Sequence, residues 1–207
     1  LTLRGIRHHL WRWGPPANPP VVLLHGWADT GETFQFVVDC LPDDWSLAAL
    51  DWRGFGRSAH APGGAYWFPD YVADLDALLE ALSPDRPARI VGHSLGANAL
   101  SLYGGARPER LERIALLDGF GLADMPPAAA PERYRRWLEQ LRNAPPRFAS
   151  YASFEVFAGF LARRNPRLTP ERAAFIARAW GEERAGRIAI RSDPAHKLIY
   201  PVLYRRA

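Results

Sequence analysis

Cysteine is almost absent from this chain of 207 residues, in which Cys40 stands alone. A single cysteine cannot form an internal disulfide, so the stability of the fold does not depend on an oxidising compartment. The simplest expectation is a cytoplasmic protein. Because Cys40 ends a short apolar helical pattern, we expect it to be a small buried hydrophobic side chain rather than a nucleophile.

Long apolar runs are also missing. No stretch of eighteen apolar residues occurs, which predicts that no segment spans a membrane. The first residues, Leu1–Gly5, lack the charged segment and the following apolar segment that a signal peptide would have. The length of the chain and its 48% of apolar residues suit one soluble domain with a sizeable core.

Lysine is nearly missing as well, because Lys197 is the only lysine among 26 basic residues. The arginines bring the net charge to +4, but they recur along helical patterns beside acidic residues, as in Pro131–Arg136. This spacing indicates solvated helix faces rather than a nucleic-acid footprint. We therefore expect no nucleic-acid partner.

The first half of the chain alternates short apolar runs with helical patterns. Continuous apolar runs are typical of strands that are buried on both faces. The runs are Val21–Leu24, Leu47–Leu50, Ala88–Val91 and Ile114–Leu117. The helical patterns are Thr33–Leu41, Phe68–Leu82 and Leu95–Ala106. This order predicts an α/β fold with a mostly parallel sheet flanked by helices.

The N-terminal residues predict two more strands, Leu1–Ile6 and His8–Trp13. The turn residues Gly14-Pro15-Pro16 end the second of them. Because so few residues separate the two segments, we expect an antiparallel hairpin at the edge of the sheet.

The second half of the chain has a different character. Proline-rich breaks separate three helical patterns, and Arg187–Ile190 predicts a short strand after them. The helical patterns are Pro131–Asn143, Ser153–Arg164 and Pro170–Trp180. We therefore divide the chain into a core of residues 1–119, a helical insertion of residues 120–192 and a return towards the core over residues 193–207.

A candidate nucleophile follows one of the predicted strands. The sequence Gly92-His93-Ser94-Leu95-Gly96 fits the G-x-S-x-G pattern and joins a strand to the helix that begins near Leu95. Such a sharp turn holds a serine hydroxyl clear of the backbone, at the cost of a strained φ/ψ. The glycines leave room where side chains would collide, and the helix start directs N–H groups at the reacting centre. These features predict that Ser94 is a nucleophile.

The residues His25-Gly26-Trp27 directly follow the predicted strand Val21–Leu24. In a site built around a strand–turn–helix serine, this loop supplies one oxyanion N–H, and the residue after the nucleophile supplies the other. We therefore predict the backbone amides of Trp27 and Leu95 as the two donors. The side chain of Trp27 would then line the substrate pocket.

The glycine-rich segment Asp51–Ser58 follows the predicted strand Leu47–Leu50. Its glycines do not have the G-x-x-x-x-G-K-[ST] spacing of a phosphate-binding loop, and no helix pattern begins directly after it. We interpret the segment as a structural loop that doubles back beneath the active-site face.

These three elements, in this order and spacing, resemble the α/β-hydrolase superfamily over nearly the whole chain. Three further segments look similar to bacterial serine hydrolases that are related to the serine hydrolase-like proteins of animals. They are Leu117–Gly121, Tyr151–Glu155 and Asp193–Lys197. The resemblance implies a lid, formed by residues 120–192, over Ser94. It also implies hydrolysis of an ester-like or amide-like bond without a cofactor or metal.

The chain departs from the family pattern at the acid and the histidine, the two residues that complete a catalytic triad with the serine. The resemblance implies an acid after the seventh strand and a histidine after the eighth, and both are expected beyond Ala207. The segment Leu198–Tyr204 looks like the approach to that seventh strand. A sheet that ends at the sixth strand exposes an apolar edge, which invites self-association or complementation by another polypeptide.

Some residues within the chain are alternatives for these roles. Asp118 follows the sixth strand and is a possible acid, as in some relatives, or a loop-capping carboxylate. His196 follows Ser94 in the chain and is a less favoured candidate base, because its surroundings indicate a connection from the lid to the core. The other histidines are assigned to the predicted oxyanion loop, to the serine turn, to the edge hairpin or to no supported role: His25, His93, His8, His9 and His60.

Two functions from different classes remain open. The first is a serine hydrolase acting on a small carboxylic ester, thioester or lactone through an acyl-Ser94 intermediate, with C–C cleavage also open. The 207 residues alone would have little or no turnover, since a serine without a base is a weak nucleophile. The second is a non-catalytic protein of the same fold that binds a ligand or partner. Dehalogenase chemistry is disfavoured, because it needs a carboxylate where Ser94 stands.

Several aromatic residues fall near the predicted site. They suggest an apolar pocket, although aromatic side chains at such positions are as often part of the core. They are Trp27, Trp52, Phe55, Trp67 and Phe120.

Overall fold

The computed structural model describes residues 1–16, 19–64, 66–119, 121 and 123–204. Strands and helices alternate from residue 21 to residue 117, as the sequence predicts. The strands are β1 (Thr2–Leu3), β2 (Ile6–Arg7), β3 (Leu10–Trp13), β4 (Val21–Leu24), β5 (Leu47–Leu50), β6 (Ala88–His93), β7 (Leu111–Leu117), β8 (Ser150–Tyr151), β9 (Gly181–Arg184) and β10 (Arg187–Ile190). The α-helices are α1 (Gln35–Val38), α2 (Phe68–Leu82), α3 (Leu95–Ala106), α4 (Ala130–Leu141), α5 (Phe154–Arg164) and α6 (Pro170–Trp180).

The main sheet has five strands in the order β3-β5-β4-β6-β7. β3 is antiparallel to β5, and all other neighbours are parallel. Helices α2 and α3 cover one face, where Leu75, Leu79 and Leu100 pack beneath the strands. The other face carries a smaller cluster around Phe34 and Leu23. The predicted mostly parallel sheet flanked by helices is therefore confirmed.

The N-terminal segment differs from the expected hairpin. β1 and β2 pair with each other through a turn at Arg4 and Gly5, both of which have positive φ. β3 pairs instead with β5, from Leu10 opposite Leu50 to Trp13 opposite Leu47. The prediction that residues 1–6 and 8–13 pair with each other is wrong, because the left-handed turn at Gly5 closes the first hairpin early. The expected position of the second segment at the sheet edge is correct.

Strand β7 lies at the opposite edge of the sheet. Within the described residues it hydrogen-bonds to β6 and to no strand on its other side. Ile114, Leu116 and Leu117 are 40–47% exposed, although all three are apolar. An edge strand of this kind presents unpaired backbone groups and apolar side chains to solvent.

The insertion contains helices α4, α5 and α6 near their predicted bounds, together with a three-stranded antiparallel sheet in the order β8-β10-β9. It has its own buried cluster around Phe157, Leu161 and Ile188. Local residues start two of its helices, because the hydroxyls of Ser153 and Thr169 accept hydrogen bonds from first-turn amides. Strands β8 and β9 were not predicted, since they are short and carry no apolar run.

Cys40 is exposed, with its thiol 3.4 Å from the Phe36 carbonyl oxygen. The expectation that it is buried is wrong. The predicted helix Thr33–Leu41 is shorter than expected, since a 3₁₀ turn, Gly31–Phe34, leads into the four residues of α1. Cys40 lies beyond the end of α1, where the chain runs along the surface.

The segment after the insertion returns to the core and then follows α4. Residues 198–204 form no strand, and the Ile199 amide donates to Gln140 Oε1 at 2.7 Å. The guanidinium of Arg133 donates to the Tyr200 carbonyl oxygen. Among the described residues, no helix has both the length and the apolar character needed to cross a lipid bilayer.

Candidate active site

Ser94 occupies the turn between β6 and α3 with φ 49° and ψ −109°, a conformation that L-residues rarely adopt. Its amide donates to the Leu117 carbonyl oxygen of the neighbouring strand at 2.9 Å. A side chain at Gly92 would place its Cβ 2.7 Å from the Ala97 nitrogen, and one at Gly96 would collide with the Leu24 carbonyl. The strained turn therefore depends on both glycines, as the sequence pattern indicates.

The predicted oxyanion loop lies directly against this turn. A Cβ on Gly26 would be 2.9 Å from His93 Nδ1 and 3.2 Å from Ser94 Cβ. Gly26 therefore allows the loop backbone to approach the serine closely. Leu95 is the first residue of α3, and an amide at that position has no partner within a helix. The structure brings together Ser94, Gly26 and the start of α3, and the donor roles of Trp27 and Leu95 stay predictions.

The imidazole of His25 is fully buried and holds this loop together. The Trp52 amide donates to His25 Nε2 at 3.0 Å, so Nδ1 carries the proton and donates to the Gly26 carbonyl oxygen at 2.7 Å. Burial lowers the pKa of His25 and favours this neutral form, against the opposing effect of the Asp29 and Asp51 carboxylates. Both ring nitrogens are engaged in the loop, so His25 has none free for Ser94.

The Asp29 carboxylate lies two residues after Trp27 in the chain. Its Oδ1 accepts from the Thr30 amide at 2.8 Å, from the Thr33 hydroxyl at 2.7 Å and from Trp180 Nε1 at 2.7 Å. The residue between, Ala28, has φ 58°. Sequence reasoning missed Asp29. Its spacing from Thr33 suits a capping interaction, but nothing in the sequence indicates the bond to Trp180.

The glycine-rich segment Asp51–Ser58 is built around the buried Asp51 carboxylate. Oδ1 accepts from the Gly31 amide at 2.6 Å and from Trp11 Nε1 at 3.1 Å, while Oδ2 accepts from the Arg57 amide at 2.9 Å. A side chain at Gly56 would collide with this carboxylate. The segment therefore has the contacts of a structural loop, as the sequence predicts.

A buried ion pair lies beside this segment. Arg53 donates through Nε and Nη2 to both oxygens of Asp74, at 2.6 and 2.5 Å. His8 Nε2 lies 3.3 Å from the same carboxylate. Burial alone would raise the pKa of Asp74, but hydrogen bonds from His8 and Arg53 outweigh it and lower the pKa. Sequence reasoning did not identify this pair, which fixes the N-terminal segment and the loop to α2.

His196, the alternative base, belongs to an aromatic cluster. Its ring stacks between Phe55 and Tyr66, with both centroid distances 3.7 Å, and its Nδ1 lies 3.1 Å from the Tyr71 hydroxyl. Burial lowers the pKa of His196 to about 3, so the ring is neutral at ordinary pH. None of the described contacts joins His196 to Ser94.

The remaining histidines are also engaged elsewhere. His60 lies 3.3 Å from Asp193 Oδ2, and His9 packs against Trp11. His93 packs against Gly26. In the part of the chain that the structure describes, no histidine is hydrogen-bonded to the Ser94 hydroxyl, and no group of three or more His, Cys, Asp or Glu side chains is arranged to hold a metal ion.

Asp118 lies at the carboxyl end of β7 with φ 53° and an exposed side chain. Within the described residues, its carboxylate makes no hydrogen bond or ion pair, so the capping alternative has no described contact to support it. The hydrogen bond from the Gly121 amide to Asn98 Oδ1 holds the loop against α3. The two approach so closely that a side chain at Gly119 would collide with Ala97. The possible role of Asp118 as an acid stays a prediction.

The predicted pocket aromatics have different environments. Trp52 and Phe55 are fully buried in the core, and Trp67 packs against Trp137 and Tyr200. Phe120 lies outside the described residues. Trp27 is half exposed, with its ring 5.5 Å from that of Phe148 in the insertion. The Trp27 ring therefore contacts the insertion through Phe148, and its role in lining a substrate pocket stays a prediction.

Comparison with known proteins covers most of the chain. Residues 19–188 match the family model described as alpha/beta hydrolase fold. A serine hydrolase-like protein of Danio rerio is 44% identical over 110 residues, which are 53% of this chain and 33% of that protein. A serine hydrolase-like protein of Homo sapiens is 35% identical over 107 residues, 51% of this chain and 52% of that protein. The match thus spans only a third to a half of these relatives.

Solved structures extend the similarity to the whole chain. A hypothetical protein from Pseudomonas aeruginosa PAO1 has a TM-score of 0.86 and 30% identity, covering 100% of this chain and 73% of its own. The thioesterase domain from the curacin biosynthetic pathway has a TM-score of 0.83 and 25% identity, covering 94% and 69%. The five-stranded sheet and the insertion together are therefore an arrangement found in other proteins.

Proposed function

The chain belongs to the α/β-hydrolase family, and from this premise we propose that it is a serine hydrolase that cleaves an ester-like bond of a small molecule through an acyl-Ser94 intermediate. One observation carries the proposal. Ser94 is held at a positive φ between β6 and α3, with the Gly26 backbone against its Cβ. A turn this strained persists only where its surroundings enforce it, and such strain is concentrated at functional sites.

In the proposed reaction, the Ser94 oxygen attacks the carbonyl carbon of a carboxylic ester, thioester or lactone and loses its proton to a base. The amides of Trp27 and Leu95 then stabilise the negative charge on the carbonyl oxygen. The C–O or C–S bond breaks, and the leaving group takes a proton. Water attacks the acyl-Ser94 ester in a second step, which releases the acid and restores the serine hydroxyl.

The base is proposed to come from a segment that lies along β7. None of the described histidines contacts the Ser94 hydroxyl. The edge of β7 that no described strand covers ends beside the turn, where the Leu117 carbonyl accepts from the Ser94 amide. A strand added to this edge would end close to Ser94 and Asp118. The family resemblance implies that such a strand carries the acid and precedes the histidine. The relatives' greater length is consistent with this arrangement.

A fluorophosphonate probe, which reacts with activated serines, tests the proposal on the protein in its natural full length. We expect covalent labelling at Ser94, and complete loss of labelling in Ser94→Ala. The matched control is Ser101→Ala, since Ser101 is exposed on the same helix. Comparison of ester with thioester substrates would then show which bond is cleaved faster. A series of increasing acyl length would show which acyl group is preferred.

The competing function is a ligand-binding or partner-binding protein of the same fold without catalysis. The observation that favours it is the absence of a histidine bonded to Ser94 among the described residues. Failure of the folded full-length protein to label would support this alternative and would contradict the hydrolase proposal.

A further inference from the structure

The insertion contacts the oxyanion loop through one hydrogen bond between distant parts of the chain. Trp180 Nε1 donates to Asp29 Oδ1 at 2.7 Å, across 151 positions of sequence. Trp180 is the last residue of α6 and packs against the buried cluster of the insertion. Its carbonyl oxygen accepts from the Arg191 amide at 2.7 Å. The indole is thus fixed within the insertion, while its N–H reaches the core.

On the core side, the Asp29 carboxylate is equally constrained. The same oxygen accepts from the Thr30 amide and the Thr33 hydroxyl, so the carboxylate cannot rotate without breaking bonds at the start of the 3₁₀ turn. Thr30 is buried, and the Gly31 amide donates to Asp51. The loop is therefore anchored firmly from Asp29 onward.

The backbone between this anchor and the predicted oxyanion donor has a strained conformation. Ala28 has φ 58°, a region that costs free energy for any residue with a Cβ. The loop is held on its other side by the His25 bond to the Gly26 carbonyl. Trp27 lies between these two anchors: its N–H shares a peptide plane with the Gly26 carbonyl that His25 holds, and its own carbonyl leads into Ala28 and Asp29. A change at the Asp29 end therefore acts on Trp27 through the backbone torsions of Trp27 and Ala28.

We propose that Asp29 and Trp180 form a positioning pair through which docking of the insertion fixes the Trp27 amide towards Ser94. The proposal rests on the hydrolase function proposed above, and it adds a dependence of the oxyanion site on the insertion. Neither residue contacts the substrate in this mechanism. With the pair broken, the strained Ala28 conformation relaxes and the Trp27 amide turns away from its productive direction.

The test uses Trp180→Phe, which keeps an aromatic ring and removes the N–H donor, with Trp45→Phe, an exposed tryptophan, as the matched control. The readout is fluorophosphonate labelling of Ser94 as a function of probe concentration. We expect the maximal labelling rate to fall about tenfold, less than the 100- to 1000-fold typical for removing an oxyanion donor outright. The probe concentration at half-maximal rate should change little, because probe binding does not use the donor.

A second pair of variants separates the hydrogen bond from general damage. Asp29→Ala removes the acceptor together with the bonds from Thr30 and Thr33, so its effect should be at least as large as that of Trp180→Phe. Adding Trp180→Phe to Asp29→Ala should then have no further effect. Asp29→Asn keeps an oxygen acceptor at the same position and should restore most of the labelling rate. An unchanged rate in both Trp180→Phe and Asp29→Ala would overturn the proposal.

A measurement that does not depend on reactivity completes the test. In NMR spectra of the protein, Trp180→Phe should shift the Trp27 amide resonance and speed its hydrogen exchange, whereas Trp45→Phe should do neither. A Trp27 amide that is indifferent to Trp180→Phe would contradict the positioning role, even if the protein did not react with the probe. Wild-type protein that shows the coupling but resists labelling would instead contradict the hydrolase function.

Discussion

An interior strand of the main sheet, β5, and its far edge strand, β7, have similar apolar sequences and very different surroundings. Every residue of β5, Leu47–Leu50, is buried, whereas the apolar end of β7, Ile114–Leu117, is exposed. β5 lies between two strands and is covered on both faces, while β7 has a strand on one side among the described residues. An apolar run therefore predicts a strand that can be buried, but it does not show which elements cover it.

The largest expected difference between these regions is in the free energy of unfolding of the 207-residue chain. Leu50→Ala removes a fully buried side chain and should lower it by about 2–5 kcal/mol. Leu117→Ala, the same substitution at a 47% exposed position, should lower it by less than about 1 kcal/mol. Urea unfolding of both variants measures the contrast. An equal cost at Leu117 would mean that another copy of the chain covers β7 in solution.

The burial of His196 should also make the stability of the fold depend on pH. Because burial lowers the pKa of His196 to about 3, the unfolded chain binds a proton more readily than the folded chain between pH 6.5 and 3. The contribution of His196 to the stability should therefore fall with decreasing pH in this window, by at most about 1.4 kcal/mol for each pH unit. Thermal unfolding from pH 7 to pH 4 measures the slope.

One variant assigns the part of that slope that belongs to His196. His196→Gln should reduce the loss of stability at low pH. Equal slopes in the wild type and His196→Gln would show that the imidazole is not responsible.

The smallest effect is expected for an ion pair at the exposed edge. Arg89 on β6 donates to both oxygens of Glu112 on β7, at 2.9 and 2.7 Å, with the same bidentate geometry as Arg53 and Asp74. Solvent surrounds the edge pair, so Glu112→Gln should not measurably change the melting temperature. Asp74→Ala should lower it clearly, because it removes the bidentate partner of the buried Arg53 and leaves only the longer contact with Asp70. A large effect at Glu112 would contradict the exposed environment of β7.

Much of the architecture was predictable from the sequence because local patterns determine it. Continuous apolar runs identified β4 and β5, and the spacing of glycines around Ser94 identified the turn. The start of the chain was predicted incorrectly, since the pairing of β3 with β5 is a long-range choice that the local pattern does not encode. The same reason explains why β8 and β9 were missed, as their polar residues pair only within the folded insertion.

The sequence also predicts some parts of the candidate site and not others. Ser94, His25 and Gly26 follow strands directly, so their positions could be inferred from the order of elements. Asp29 and Trp180 could not be paired from the sequence, because their 151-residue separation is bridged only in the folded chain. The role of His196 was also undetermined, since its neutral state arises from the rings that surround it.

The return of the chain from the insertion to the core has a consequence for the order of folding. The Tyr66 hydroxyl donates to Asp193 at 2.6 Å, and Tyr71 meets His196, across 127 and 125 positions of sequence. Closing loops of this length costs chain entropy before any contact compensates for it, and such closures slow folding. During synthesis, the sheet through β7 leaves the ribosome well before these partners do. The Tyr71 hydroxyl on α2 therefore lacks its His196 partner until residues more than a hundred positions later have been made.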